Sequence, residues 1–321
     1  MPAEVGFGHH AANGVTIMQS PFLPDLLYLA EGGIAFEMSY DYGYDLPPIL
    51  DNQAAMDRYA SLYRAFLNVA LRKRMGVMLG GWDCGTGPDW PALLGRDAAG
   101  RVDYQNRSIA FLKEIVEPYR EHLPHILVSG VVASQGGADW NNQAVTQAAA
   151  EQYHGPHVAN LALASVDLVQ ALSFTSTNEA IGVIRAAAAQ KLPIILSFTI
   201  QAASGWVAWR SFREIIEQVD RATDSYALFY GINCTHPLEF ETLLGEQGEY
   251  LNRIGLLRPD ASTREMIART QLGYVERGDP SDLARRIGDL AARLPALAVF
   301  GGCCGTCDEH LELIARAVTR S

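Results

Sequence analysis

The side chains in this sequence best placed to do chemistry are its cysteines. There are five, Cys84, Cys234, Cys303, Cys304 and Cys307, and an odd count with two adjacent members makes a poor disulfide framework. Metal binding or thiol chemistry is the reading that follows. Cys234 sits in Gly231-Ile232-Asn233-Cys234-Thr235-His236-Pro237, and Cys303 and Cys304 sit in Gly301-Gly302-Cys303-Cys304-Gly305-Thr306. Three thiolates make a tetrahedral Zn2+ site with one position open, the arrangement of a catalytic rather than a structural metal. A thiol entering that position would be held as a thiolate, the nucleophilic form, at neutral pH. The plainer alternative is that these cysteines are small buried hydrophobes. That suits Cys84 and Cys307 taken singly, but not a trio in which each member lies beside glycine at a predicted strand end.

The elements that must bring the three thiols together are legible as short apolar runs with helical segments between them. The runs are Leu26–Leu29, Gly76–Leu79, Ile126–Val128, Val166–Val169, Pro193–Phe198, Ala227–Ile232, a weaker one at Ile254–Leu257, and Leu297–Phe300. Runs apolar on both faces that alternate with helices are what a buried parallel sheet produces. Tyr59, Leu62, Tyr63, Phe66 and Ala70 share one helical face, as do Leu283, Ile287, Leu290 and Leu294, the latter after a Pro280-Ser281 start. Eight strands each followed by a helix predict a (β/α)8 TIM barrel, one domain over residues 1–321, with long loops after the strands. Strands six and eight are one strand apart in such a ring, so Cys234 meets Cys303 and Cys304 above the barrel mouth. The flanking glycines let both members of the adjacent pair face the ion. The long segments 80–100, 134–143 and 201–211 also leave strands on the side where barrel active sites lie.

Composition narrows the partners. Net charge is −11, and no basic cluster exceeds Arg72-Lys73-Arg74, which argues against nucleic acid. No stretch approaches the roughly 18 apolar residues of a membrane span. No Lys or Arg precedes Arg58, so neither a secretory signal nor a transit peptide is expected, and the expected location is the cytoplasm. A neutral or cationic small molecule is the expected partner. Assembly into a homo-oligomer is left open.

Other residues are candidates with plain alternatives beside them. Glu31, before Gly32-Gly33 at the first strand's end, could bind an ammonium group, or cap the turn or pair with a surface Lys or Arg. Asn233 could orient a substrate, or hydrogen-bond the loop. His236 could assist the metal, or start the next helix, and His310 reads as structural. The aromatics Phe36, Tyr40, Tyr42, Tyr44, Trp82, Trp90, Trp140, Trp206 and Trp209 fall largely in post-strand loops. Two or three of them could hold a cationic ligand by cation–π attraction, Trp82 first among them.

The Gly-Gly-Cys-Cys-Gly-Thr segment, His310 beyond it, and Gly231-Ile232-Asn233-Cys234 upstream together resemble the zinc-binding signature of the homocysteine S-methyltransferases. The likeness extends to Glu31-Gly32-Gly33-Ile34-Ala35 and to Pro193–Thr199. The resemblance implies a zinc-bound homocysteine thiolate that attacks the methyl group of an onium donor to give methionine. Cys234, Cys303 and Cys304 would be the ligands, and Glu31, with Gly32 and Gly33, would meet the acceptor's ammonium. Many members end strand four in a Glu-Thr pair that helps bind the amino acid, where this chain has Ala171-Leu172-Ser173. Two alternatives therefore stand beside it: the same chemistry on another thiol or selenol, or a non-catalytic barrel protein that senses redox state or stores metal. If Trp82 is at the donor site, Trp82→Ala should raise the donor's KM more than the acceptor's, because a lost cation–π contact acts on the charged ligand. Equal effects in steady-state kinetics would instead mark a general defect of folding or closure.

Overall fold

All eight apolar runs become strands, and the strands close on one another. The computed structural model describes residues 19–44, 48–81, 97–135, 144–200, 212–245, 248–264 and 271–319. Strands β1 (Tyr28–Leu29), β2 (Gly76–Gly80), β3 (Ile126–Ala133), β4 (Leu168–Phe174), β5 (Ile194–Phe198), β6 (Tyr230–Asn233), β7 (Ile254–Arg258) and β8 (Val299–Phe300) are parallel, pair in chain order, and return from β8 to β1. This is the predicted (β/α)8 barrel, a single domain. The seventh strand, faintest in the sequence, is buried along its whole length.

Helices α1 (Gln53–Lys73), α2 (Ala98–Val116), α3 (Gln147–Leu163), α4 (Thr177–Ala189), α5 (Phe212–Thr223), the short α6 (Pro237–Phe240), α7 (Pro280–Ala291) and α8 (Asp308–Val318) surround the barrel. Six of them start where the sequence supplies a side chain to accept an otherwise unpaired N–H of the first turn. These caps are Asn52, Asp97, Thr146, Ser176, His236 and Asp279. The predicted faces are buried: Tyr59, Leu62, Tyr63, Phe66 and Ala70 on α1, and Leu283, Ile287 and Leu290 on α7. Leu294, placed on the same face from its spacing, lies beyond the end of α7 and is buried all the same. No helix among the described residues is long and apolar enough to cross a membrane.

Inside the ring, polarity changes with height. Tyr28, Met78, Leu127, Leu168, Ile195, Phe229, Leu256 and Val299 fill the lower end. Phe22 closes it from below, its ring 5.0 Å from Tyr28 and 5.2 Å from Phe229. Two residues further along β3, β4, β5 and β7, on the same face by strand alternation, stand Ser129, Gln170, Ser197 and Arg258, all buried. A buried polar layer persists only if it is hydrogen-bonded. Here Arg258 Nη1 donates to Gln170 Oε1 (2.6 Å), Gln170 Nε2 to Ser129 Oγ (3.1 Å), and Ser129 Oγ to the Leu79 carbonyl (3.0 Å). The barrel thus presents a polar floor to whatever sits above it.

Outside the ring, α3 carries His154 and His157, both buried. Burial, then the neighbouring His154 and Arg101, push the His157 pKa down to about 3. In the unfolded chain it titrates near 6.5, so between those values the unfolded state binds more protons. Stability is therefore full above pH ~6.5 and falls by ~1.4 kcal/mol per pH unit from this group as the pH drops through that window. Urea midpoints at pH 7 and pH 5 should show a shallower loss for His157→Gln than for the parent protein. Parallel losses would assign the acid sensitivity elsewhere.

Candidate active site

Three strand ends build the site at the barrel mouth. Beyond β6 the backbone of Cys234 turns left-handed (φ 52°), and Ser173 near the end of β4 does the same (φ 64°), within a register shift against β5 between Ala171 and Phe174. A left-handed non-glycine residue costs on the order of 1 kcal/mol. Here the cost is offset by one side chain. Asn233 Oδ1 accepts from Ser173 N (3.0 Å) and Ser197 Oγ (2.5 Å), while Nδ2 donates to Ser173 Oγ (2.7 Å) and lies 3.1 Å from Cys234 Sγ. Ser173 Oγ lies 3.4 Å from the same sulfur. Cys234 therefore has two polar groups aimed at its sulfur from below.

The β7 end lies between the two cysteine-bearing segments and is joined to both by main chain. Cys234 N donates to the Arg258 carbonyl (3.2 Å), Cys303 N to Pro259 (2.8 Å), Asp260 N to Thr235 (3.3 Å), and Ala261 N to Cys304 (3.0 Å). Metal-ligating atoms of Cys234, Cys303, Cys304 and Asp260 consequently lie within 4.8 Å of one another. The Cys234 and Cys303 sulfurs are joined in a disulfide, with their Cα atoms 5.4 Å apart, and the Cys303 and Cys304 sulfurs are 4.0 Å apart. Thiolates on a tetrahedral zinc, with bonds of ~2.3 Å, stand roughly 3.8 Å from each other. With the Cys234–Cys303 bond reduced, three soft sulfurs beside one carboxylate form a donor set whose chemistry suits zinc.

Glu31, Gly32 and Gly33 lie under and beside this cluster. Glu31 Oε1 forms a 2.7 Å ion pair with Arg258 Nη1, and Oε2 accepts from Gly80 N at 3.0 Å. The partner is thus a buried arginine rather than a surface one. The Glu31 carboxylate is thus already shared between Arg258 and the Gly80 N–H. Gly33 N donates to the Thr306 carbonyl (3.0 Å) and to Thr306 Oγ1 (3.1 Å). A Cβ at Gly33 would collide with the Cys303 carbonyl, so only glycine allows β1 to meet the thiol loop this closely.

Among the other candidates, His236 caps α6, its Nδ1 accepting from Leu238 N at 3.3 Å; burial, then Arg286, lower its pKa. Tyr42 and Tyr44 line an open cleft with Ala54, Asp57, Arg58 and Ser61. The Arg58 guanidinium lies 3.7 Å from the Tyr42 ring centroid, so that face already holds a cation. Trp82, Cys84, Trp90, Trp140, Trp206 and Trp209 lie outside the described residues, as does the Phe36 side chain. Arg258, Asp260, Ser173 and Ser197 are site residues that the sequence reading missed. The signal for the first two was Arg258-Pro259-Asp260 following an apolar run, as Asn233-Cys234 follows another.

Comparison with known proteins agrees with the motif. A profile of the homocysteine S-methyltransferase family matches residues 93–318. The chain belongs to that family and is a methyltransferase enzyme whose substrates are small molecules. Glu31-Gly32-Gly33 precedes the matched segment. Among solved structures, the homocysteine methyltransferase MmuM from Escherichia coli is similar in its oxidized form (TM-score 0.66, 19% identity, 92% of this chain and 96% of that one). Its metallated form is similar too (TM-score 0.65, 17% identity, the same coverage). At such identities the likeness concerns the fold. No curated protein sequence matches.

Asn233 is the residue on which the two left-handed positions depend. Asn233→Ala would leave the Ser173 N–H and the Ser197 hydroxyl without their present acceptor, at a cost of ~1–3 kcal/mol in urea denaturation. An unchanged midpoint would show that other groups support the β4 and β6 ends.

Proposed function

We propose that this member of the homocysteine S-methyltransferase family binds one zinc ion through Cys234, Cys303 and Cys304 and moves a methyl group from a sulfonium or quaternary ammonium donor to homocysteine, giving methionine. The observation that carries the reading is the convergence of three sulfurs and the Asp260 carboxylate within 4.8 Å at the barrel mouth. When bound there, zinc would lower the pKa of an incoming thiol so that it reacts as a thiolate.

The chain's own groups have separable tasks. Asn233 Nδ2 and Ser173 Oγ spread the negative charge of Cys234 Sγ through their hydrogen bonds. Main-chain bonds from the β7 end to both cysteine segments fix the donor set before substrate arrives, so little reorganisation remains for the reaction. Asp260 lies where it can take the acceptor's thiol proton. The attacking sulfur then forms its bond to the methyl carbon as the donor's bond to that carbon breaks, and the donor leaves neutral. The neutral Glu31–Arg258 floor holds the acceptor's polar end by hydrogen bonding, with the ammonium sharing Glu31. Trp82 is read as the first aromatic contact of the donor. An odd number of cysteines, kept reduced for metal binding, suits the cytoplasm.

One observation favours a second acceptor class. Leu172 stands in β4 where many family members carry a carboxylate, and the Glu31 charge is matched by Arg258, which suits a thiol or selenol without an ammonium group. A screen of zinc-loaded enzyme, pairing onium donors with homocysteine, selenohomocysteine and an amino-free thiol, separates the two. Methionine formation together with one zinc per chain is expected. Serine at Cys234, Cys303 or Cys304 should release the metal and abolish turnover while the thermal transition stays within a few degrees of the parent's. Full metal content and activity in any one serine variant would remove that residue from the ligand set, and no transfer in any pairing would sink the proposal.

A further inference from the structure

A fourth thiol stands one turn beyond the metal cluster and has no part in it. Cys304-Gly305-Thr306-Cys307 is a Cys-x-x-Cys segment, the spacing at which two thiols close across a single turn. Gly305 takes the left-handed backbone (φ 81°), and Thr306 N returns to the Cys303 carbonyl (3.1 Å), so the segment doubles back on itself. Cys307 is half-buried and immediately precedes α8, an eleven-residue helix. Its Sγ lies 3.3 Å from Nδ1 of His310.

The state of that imidazole is fixed by its other nitrogen. His310 Nε2 lies 2.7 Å from the Arg277 carbonyl, which can only accept, so Nε2 carries the hydrogen and Nδ1 of the neutral ring is a lone pair. Cys307 N donates to the same Nδ1 at 3.2 Å. His310 is fully buried, and that burial lowers its pKa, which keeps Nδ1 available as a base at neutral pH. Asp308 and Glu309 in the first turn of α8 offset its positive end, so the imidazole is the activating group. Cys307 and His310 are also joined as a reciprocal capping box at the start of α8, which holds the imidazole against the thiol.

We propose that Cys307, activated by His310, is a modification site for small-molecule disulfides, above all the disulfide of the enzyme's own thiol acceptor, and that Cys304 resolves the mixed disulfide. The inference rests on the reading of Cys304 as a metal ligand. In the first step the Cys307 proton passes to His310 Nδ1 and Cys307 Sγ attacks one sulfur of RS–SR. The S–S bond breaks, and the departing RS⁻ takes the proton from the imidazolium as RSH. In the second step Cys304 Sγ attacks the Cys307 sulfur, forming the Cys304–Cys307 disulfide and releasing the second RS⁻, which is protonated by solvent. Two protein thiols are oxidised, and one disulfide is reduced to two acceptor thiols. Cys304 thereby leaves the ligand set, so an oxidised acceptor pool would switch the metal site off.

The test treats zinc-loaded enzyme and its Cys307→Ser variant with homocystine, and reads zinc release with a chromogenic chelator and disulfides by unreduced peptide mapping. The parent protein should release zinc at least about ten-fold faster than Cys307→Ser, and its map should show Cys304 joined to Cys307. Equal release rates overturn the proposal, as does a map in which Cys234–Cys303 forms while Cys307 still reacts with an alkylating reagent. Should the protein bind no zinc, the metal reading falls by itself. The unreduced map then decides Cys307 alone: the linkage upholds the modification site, and its absence overturns it.

Discussion

A guanidinium enclosed in a barrel must be neutralised and fully hydrogen-bonded, and Arg258 satisfies this by touching β4 and the segments that follow β1 and β8 at once. Its Nη1 meets Glu31 Oε1 beyond β1 and Gln170 Oε1 in β4; Nη2 donates to the Glu31 carbonyl, and Nε to the carbonyl of Gly302 beyond β8. Leaving one member of such a pair unpartnered typically costs ~3–5 kcal/mol. The strand ends are therefore held at fixed heights relative to one another by a charge that tolerates no alternative. The donor set inherits that precision, since Cys234 N and Cys303 N bond to carbonyls of Arg258 and Pro259.

Against this rigid floor the backbone is distorted at two places only a side chain apart. Ser173 and Cys234 both adopt the left-handed conformation, and the amide of Asn233 links them. Strain at a site persists when surrounding contacts over-determine it. Here the strained residues are the ones that aim a sulfur and a hydroxyl at the same point above the barrel, which regular strands, with alternating side chains, would not do.

Much of this was open to reading in the residues. Runs such as Ile194-Ile195-Leu196 are apolar on both faces because barrel strands are covered inside and out, and that pattern predicts the architecture without tertiary information. The thiol trio was equally plain, since glycines mark where the chain leaves the sheet. Arg258 and Asp260 were hidden by the same rule: the run ended at Leu257, so a charged strand residue counted as loop. The role of Asn233 was hidden for another reason. Its partners Ser173 and Ser197 lie 60 and 36 residues away, and a left-handed serine carries no sequence mark. Glu31 was found, but not that its counter-charge would come from 227 residues further along.

Phe22 gives the molecule a direction. With its ring packed beneath Tyr28 and Phe229, the lower end of the barrel is sealed, and an apolar layer separates it from the thiols. Traffic to the site is one-ended. A molecule that meets the sulfurs therefore does so from the side of the strand ends, with a filled apolar layer at its back.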